Sequence, residues 1–205
     1  MKLATVDSVL KRVSINSTLS GAISSAEAGL EAATVLLSNL LDTPLNRQEV
    51  HDYFSPAPSA VGYPANLYLT RMFVSSAQAV SVGYGTYSGD TVADVYTALD
   101  PGLFSVDHET GKVAVSKIPS SGKMSLKVSY FAGFTDETDT NIPDWLREAA
   151  ITSAVYVMHT QVAAHGKQDI LDISPEYRRM VYSMVQQHLR PRMNCMFSET
   201  SIVVP

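Results

Sequence analysis

Between residues 20 and 40, Ile23, Leu30 and Leu37 recur every seven positions, and Ala26, Ala33 and Leu40 fill the other place on the same seam. A single apolar stripe at helical period has to be covered, so this segment needs a second helix against it. Its Ala and Glu residues favour helix while Gly21 and Gly29 weaken it, and the small residues on the stripe let a neighbouring helix come close. Ser20 begins the segment and Asp42-Thr43-Pro44 ends it. The same texture returns from Trp145 to Ala164, where Leu146, Ala149, Ala150, Ser153, Ala154, Val157, Met158 and Gln161 make a bundle-type face and Gly166 is the stop. Pro143 suits the first helical position there, and Asp144 and Glu148 suit the positive end of the helix dipole. A short helix is expected over residues 5–13. A last one opens at Ser174-Pro175-Glu176, carries Tyr177, Met180, Val181, Met184 and Leu189, and closes at Pro191.

The intervening chain reads differently. Residues 45–54 form a strand or extended arm, and a Pro/Ser-rich loop follows up to Pro64. Further strands are expected over 67–74, 79–84, 94–99, 103–106, 112–118 and 124–131. Turn signals separate them at 85–90, at Asp100-Pro101-Gly102, at 107–111 and at 119–122, with Gly111 placed for a positive φ. The expected fold is therefore α+β: a bundle of about four helices with an inserted antiparallel β-unit and an extended C-terminal tail. Its parts are N-terminal helices over 1–44, a β-rich insert over 45–134, C-terminal helices over 135–189 and an arm over 190–205.

With 45% hydrophobic and 17% charged residues, the chain can bury a core, which argues against disorder, collagen or a coiled coil. One cysteine, Cys195, excludes an internal disulfide and a Cys-cluster zinc site, and fits a reducing compartment or simply a chain that does not need staples. A net charge of −5 argues against general nucleic-acid binding. No signal peptide and no membrane span are read from the sequence. The charge is unevenly spread: residues 135–176 hold 2 Lys/Arg against 8 Asp/Glu, and residues 177–205 hold 4 against 1. The four are Arg178, Arg179, Arg190 and Arg192. They make either a solvated helix face or a docking surface for an acidic partner.

Motifs for chemistry are mostly missing. His51, His108, His159, His165 and His188 have no Cys company and no His-Glu-x-x-His spacing. The glycines at 83, 85 and 89 lack the register of a dinucleotide fingerprint. Neither a phosphate-cradling Gly-x-x-x-x-Gly-Lys-Ser/Thr nor a Gly-x-Ser-x-Gly elbow occurs, and nothing singles out a serine nucleophile. Asp136, Glu137, Asp139 and Asp144 do not match an EF-hand loop and read as a solvated linker. The expectation is a protein that is not an enzyme, with no catalytic residue, metal or cofactor. Tyr84 and Tyr87 could grip a sugar or base, or meet a neighbouring subunit.

The segment 103–147 resembles the head–tail adaptor (connector) proteins of tailed bacteriophages. In that family a strand ending in Tyr-x-Ala-Gly-aromatic leads through a polar loop to Ile/Val-Pro and a helix with paired alanines. Here these positions are Tyr130, Ala132, Gly133, Phe134, Ile142, Pro143, Ala149 and Ala150, and the Asp107-to-Gly111 turn fits as well. The motif residues read as fold punctuation: Gly133 permits a turn that a Cβ would strain, and Tyr130 and Phe134 flank it.

The resemblance implies a structural virion protein at the head–tail neck, assembled in the host cytoplasm. It would form a ring, usually of twelve copies, below the portal protein, extend the DNA channel and dock the stopper or tail-completion protein. DNA would pass through without sequence recognition. Arg178, Arg179, Arg190, Arg192, Ile202, Val203 and Val204 would then serve portal docking, the last three by adding a strand to a sheet edge. Asp136, Glu137 and Asp139 would line the channel or meet a neighbouring subunit. Other readings are a different neck component, such as a stopper or tail-completion protein, a ligand-binding or adhesion module using the β-insert, and a small α+β enzyme.

Overall fold

The computed structural model describes residues 1–14, 20–55, 64–86, 95–117, 124–163 and 179–188. The chain divides into two units, with crossings at Asn46/Arg47 and at Gly133/Phe134.

The first unit is helical. Helix α1 spans Val6–Arg12, with the Thr5 hydroxyl accepting from the Ser8 N–H at 3.3 Å as its cap. It is shorter than residues 5–13 because Thr5 is the extended cap residue and Val13 has already left helical geometry, at ψ 5°. Helix α2 spans Ser20–Leu40 and α3 spans Asp144–Ala163. Residues 179–188 are helical (α4); the expected start of that helix at Ser174 lies outside the described residues.

The stripe read from sequence is the buried seam of α2. Ala26, Leu30, Ala33 and Leu37 are fully buried, and Ile23 packs beside them. From α3 they meet Ala154, Val155 and Met158, and from α1 Val9 and Leu10. The helices come close because the stripe is small: a Cβ on Gly29 would stand 3.0 Å from the carbonyl oxygen of Ala154. Arg12 reaches Glu148 at 2.7 Å and Lys2 reaches Glu27 at 2.8 Å, half-exposed pairs of modest worth. Helix α4 buries Val181 and Val185, and its His188 ring stacks on Trp145 at 4.3 Å and 7°.

Pro143 is not the first helical residue. Helix α3 begins at Asp144, and the Pro143 carbonyl accepts from Leu146 and Arg147 N–H at 3.0 and 3.1 Å. Proline therefore stands at the cap, where its missing N–H orphans nothing.

The second unit is β-rich. Its strands are β1 (Gln48–Phe54), β2 (Ala65–Tyr68), β3 (Ser81–Thr86), β4 (Thr97–Ala98), β5 (Phe104–Asp107), β6 (Lys112–Val115) and β7 (Met124–Ala132). They form a four-stranded sheet in the order β1-β7-β3-β4 and a three-stranded sheet in the order β2-β6-β5, with every pairing antiparallel. Both sheets feed one core, with Leu67, Val113 and Val115 from the smaller and Val82, Leu126 and Val128 from the larger. The fold is thus α+β.

Three strand expectations need correction. The strand expected over 67–74 stops at Tyr68, because Asp52 captures the Thr70 N–H and hydroxyl at 2.7 and 2.8 Å. Phe73 then takes φ 57°, and the Phe73 and Val74 N–H groups turn to the carbonyls of Glu109 and His108. The strand expected over 94–99 pairs only at Thr97–Ala98. Asp100 ends it by capping a single 3₁₀ turn at Pro101–Leu103, accepting the Gly102 N–H at 2.8 Å. Gly85 and Thr86, expected in a loop, extend β3 opposite Ser125 and Met124. No helix of the described residues is long and apolar enough to cross a membrane.

Candidate functional site

The motif at 130–134 begins with a tyrosine whose hydroxyl is fully engaged. Tyr130 is 1% exposed and donates to Asp52 Oδ2 at 2.8 Å, while the Arg71 N–H donates to it at 3.2 Å. Burial pushes the Tyr130 hydroxyl well above its ordinary range; the Thr70 contact works against this, and the Asp52 carboxylate adds to it. Asp52 sits on the apolar side of β1, between Val50 and Phe54, and its two oxygens accept from Thr70 and Tyr130. This buried carboxylate is a structural knot tying β1, β7 and the turn at 69–73 together.

Gly133 follows at φ 84°, a conformation that favours glycine, and its N–H reaches the Phe73 carbonyl at 2.9 Å. Phe134, 1% exposed, then gives its N–H to the Leu45 carbonyl at 2.9 Å. Ile142 is buried, and so are Ala149 and Ala150 on α3. The motif residues hold backbone and core in place. None of them presents a reactive group.

The acidic residues Asp136, Glu137 and Asp139 lie on one ordered turn. Asp136 is exposed, and its Oδ1 accepts from the Thr138 hydroxyl and N–H at 2.6 and 2.8 Å. The Thr138 side chain, then its backbone, holds the Asp136 carboxyl below the usual range. Burial opposes ionisation of Asp139, but N–H groups of Asn141 and Thr135 outweigh it and the net shift is downward. Arg147 of α3 donates to the carbonyls of Glu137 and Asp139, clamping the turn through its backbone. The sequence reading of a solvated linker missed this clamp. An arginine among eight acidic residues over 135–176 was the available signal.

Of the residues named for docking, Arg179 lies exposed at the start of the described part of α4. Arg178, Arg190, Arg192, Ile202, Val203 and Val204 lie outside the described residues, as do Cys195, His165 and Tyr87. Tyr84 lies in a strand, as expected: it belongs to β3 and packs partly against the core.

Among the described residues, no three His, Cys, Asp or Glu gather as metal ligands would. His51 pairs with Ser129 Oγ at 2.9 Å and His108 with the Val74 carbonyl at 3.0 Å. An open depression of about 370 Å³ on the three-stranded sheet is lined by residues such as Pro64, Asn66, Leu103, Ser105 and Ala114, with no titratable group among them.

No protein-family model matches the sequence, and no curated protein matches it. Among solved structures, a chain in the neck of an empty GTA particle computed with C6 symmetry is similar at 11% identity and a TM-score of 0.48, covering 91% of this chain and 89% of that chain. At that identity and score the likeness carries no argument about function.

Proposed function

We propose that this chain is a structural neck protein of a tailed phage-like particle: a head–tail adaptor that forms a ring below the portal protein, extends the DNA channel and docks the stopper or tail. The observation that carries this reading is the part played by the motif residues. Tyr130 and Gly133 are buried within the β-unit, and Phe134, Ile142, Ala149 and Ala150 are buried within the helical unit. A chain whose most recognisable residues are spent on framework, with no titratable constellation in its described depression, suits assembly better than catalysis. In this reading the protein is not an enzyme and holds no cofactor. Arg178, Arg179, Arg190 and Arg192, with the apolar end Ile202-Val203-Val204, dock the portal, and Asp136, Glu137 and Asp139 face the channel or a neighbouring subunit.

The test is affinity purification of the tagged chain from cells producing the particle, with mass spectrometry of what accompanies it. A portal-sized partner, lost on deletion of residues 190–205, supports both the function and the docking arm. A partner retained despite that deletion keeps the function and moves the contact. Good expression with no virion partner overturns the reading.

A further inference from the structure

Tyr53, Tyr96 and Lys127 form a half-exposed cluster on the face of the four-stranded sheet turned away from its core. In register, Tyr53 of β1 lies opposite Lys127 of β7, and Lys127 lies opposite Gly83 of β3. Tyr96, just before β4, crosses over Gly83, where a Cβ would stand 3.0 Å from the Tyr96 Cβ. Its hydroxyl is fixed against Ser125 Oγ at 3.1 Å. The two rings are 6.2 Å apart and tilted by 57°, and the Lys127 ammonium sits 5.8 and 5.9 Å from their centroids. Tyr53 remains 55% exposed. The stripe runs on through the His51–Ser129 pair to Glu49, 3.7 Å from His51, so its cationic and acidic ends are separated. None of the ion pairs among the described residues involves Lys127. An exposed tyrosine and a half-buried one around a positioned cation are the composition of an interface anchor.

We infer that this platform receives the acidic turn, residues 135–139, of a second copy of the chain. Charge selects the occupant. The turn presents Asp136 on the surface, its Oδ1 fixed by the Thr138 N–H and hydroxyl, and is held in place through the Arg147 clamp. An anion fixed in advance meets a cation fixed in advance, so little ordering is needed on contact. Glu49 repels an acidic turn at the far end of the stripe, which sets which end is used. Two different surfaces meeting head to tail generate a ring when the rotation closes. The inference rests on the ring reading above and deepens it, by naming the faces that meet.

The test uses the full chain, with isotopically labelled and unlabelled copies mixed and treated with a carbodiimide, which joins an amine to a carboxylate at zero length. The expected product is a Lys127–Asp136 linked peptide pair of mixed label. In parallel, Lys127→Glu is expected to weaken self-association about tenfold or more, and Asp136→Lys in the same chain to restore it. A chain that self-associates without that link, and is indifferent to Lys127→Glu, overturns this interface while leaving the ring intact. A chain that stays monomeric at its highest soluble concentration in low salt also overturns it. The neck reading itself stands or falls on the purification experiment.

Discussion

Asp52 shows what one residue adds beyond a pattern. Along β1 the alternation Val50, Asp52, Phe54 puts a carboxylate where an apolar side chain is expected, and burying it requires donors. Thr70 and Tyr130 supply them, and in doing so end β2 early and start the turn at 69–73. The sequence carried the misplaced Asp but not its partners, which are 18 and 78 positions away. Replacing Tyr130 with Phe removes the hydroxyl that donates to Asp52 and accepts from the Arg71 N–H, leaving a buried carboxylate and a part-buried N–H each short of a partner. Denaturant unfolding should show a loss of about 1–3 kcal/mol. A variant as stable as the parent would mean that water or a rearranged Thr70 replaces the hydroxyl. Lys127 illustrates the same limit: nothing in its sequence neighbourhood brings Tyr53 and Tyr96 beside it, since the pairing of β1 with β7 delivers the first and the pairing of β3 with β7 and β4 the second.

At the scale of elements, periodicity carried the helices and alternation carried the longer strands. The seam of α2 was legible because each of its residues reports on one face, and the same holds for β6 and β7. What stayed illegible was a strand end decided by a distant capture, at Tyr68, where Asp52 takes the Thr70 N–H and hydroxyl. The hairpin between β5 and β6 was fully local. Asp107 Oδ1 accepts from the Glu109 and Thr110 N–H groups, and Gly111 turns at φ 70°. A Cβ at Gly111 would also collide with the Arg71 carbonyl oxygen. Gly111→Ala should therefore destabilise the protein by about 1–3 kcal/mol from the backbone conformation alone, with the added clash pushing the loss upward, readable as a lower unfolding midpoint. An unchanged midpoint would mean that the turn and the 69–73 crossing move apart without cost.

At the scale of the whole molecule, the order helices, β-excursion, helices was readable because composition and period change together near residues 45 and 134. The candidate site was readable only in part. Arg179 could be named from charge and the acidic turn only through the family resemblance, whereas the aromatic platform depends on sheet register and the other residues named for docking lie outside the described chain. In the proposed function the molecule is a structural protein that works through the surfaces it presents to neighbours. The measurement that tests this most directly is electron microscopy of purified particles carrying a gold-labelled tag on this chain. The account predicts label at a single vertex, at the junction of head and tail. Particles without label, or label spread over the capsid or along the tail, would contradict it.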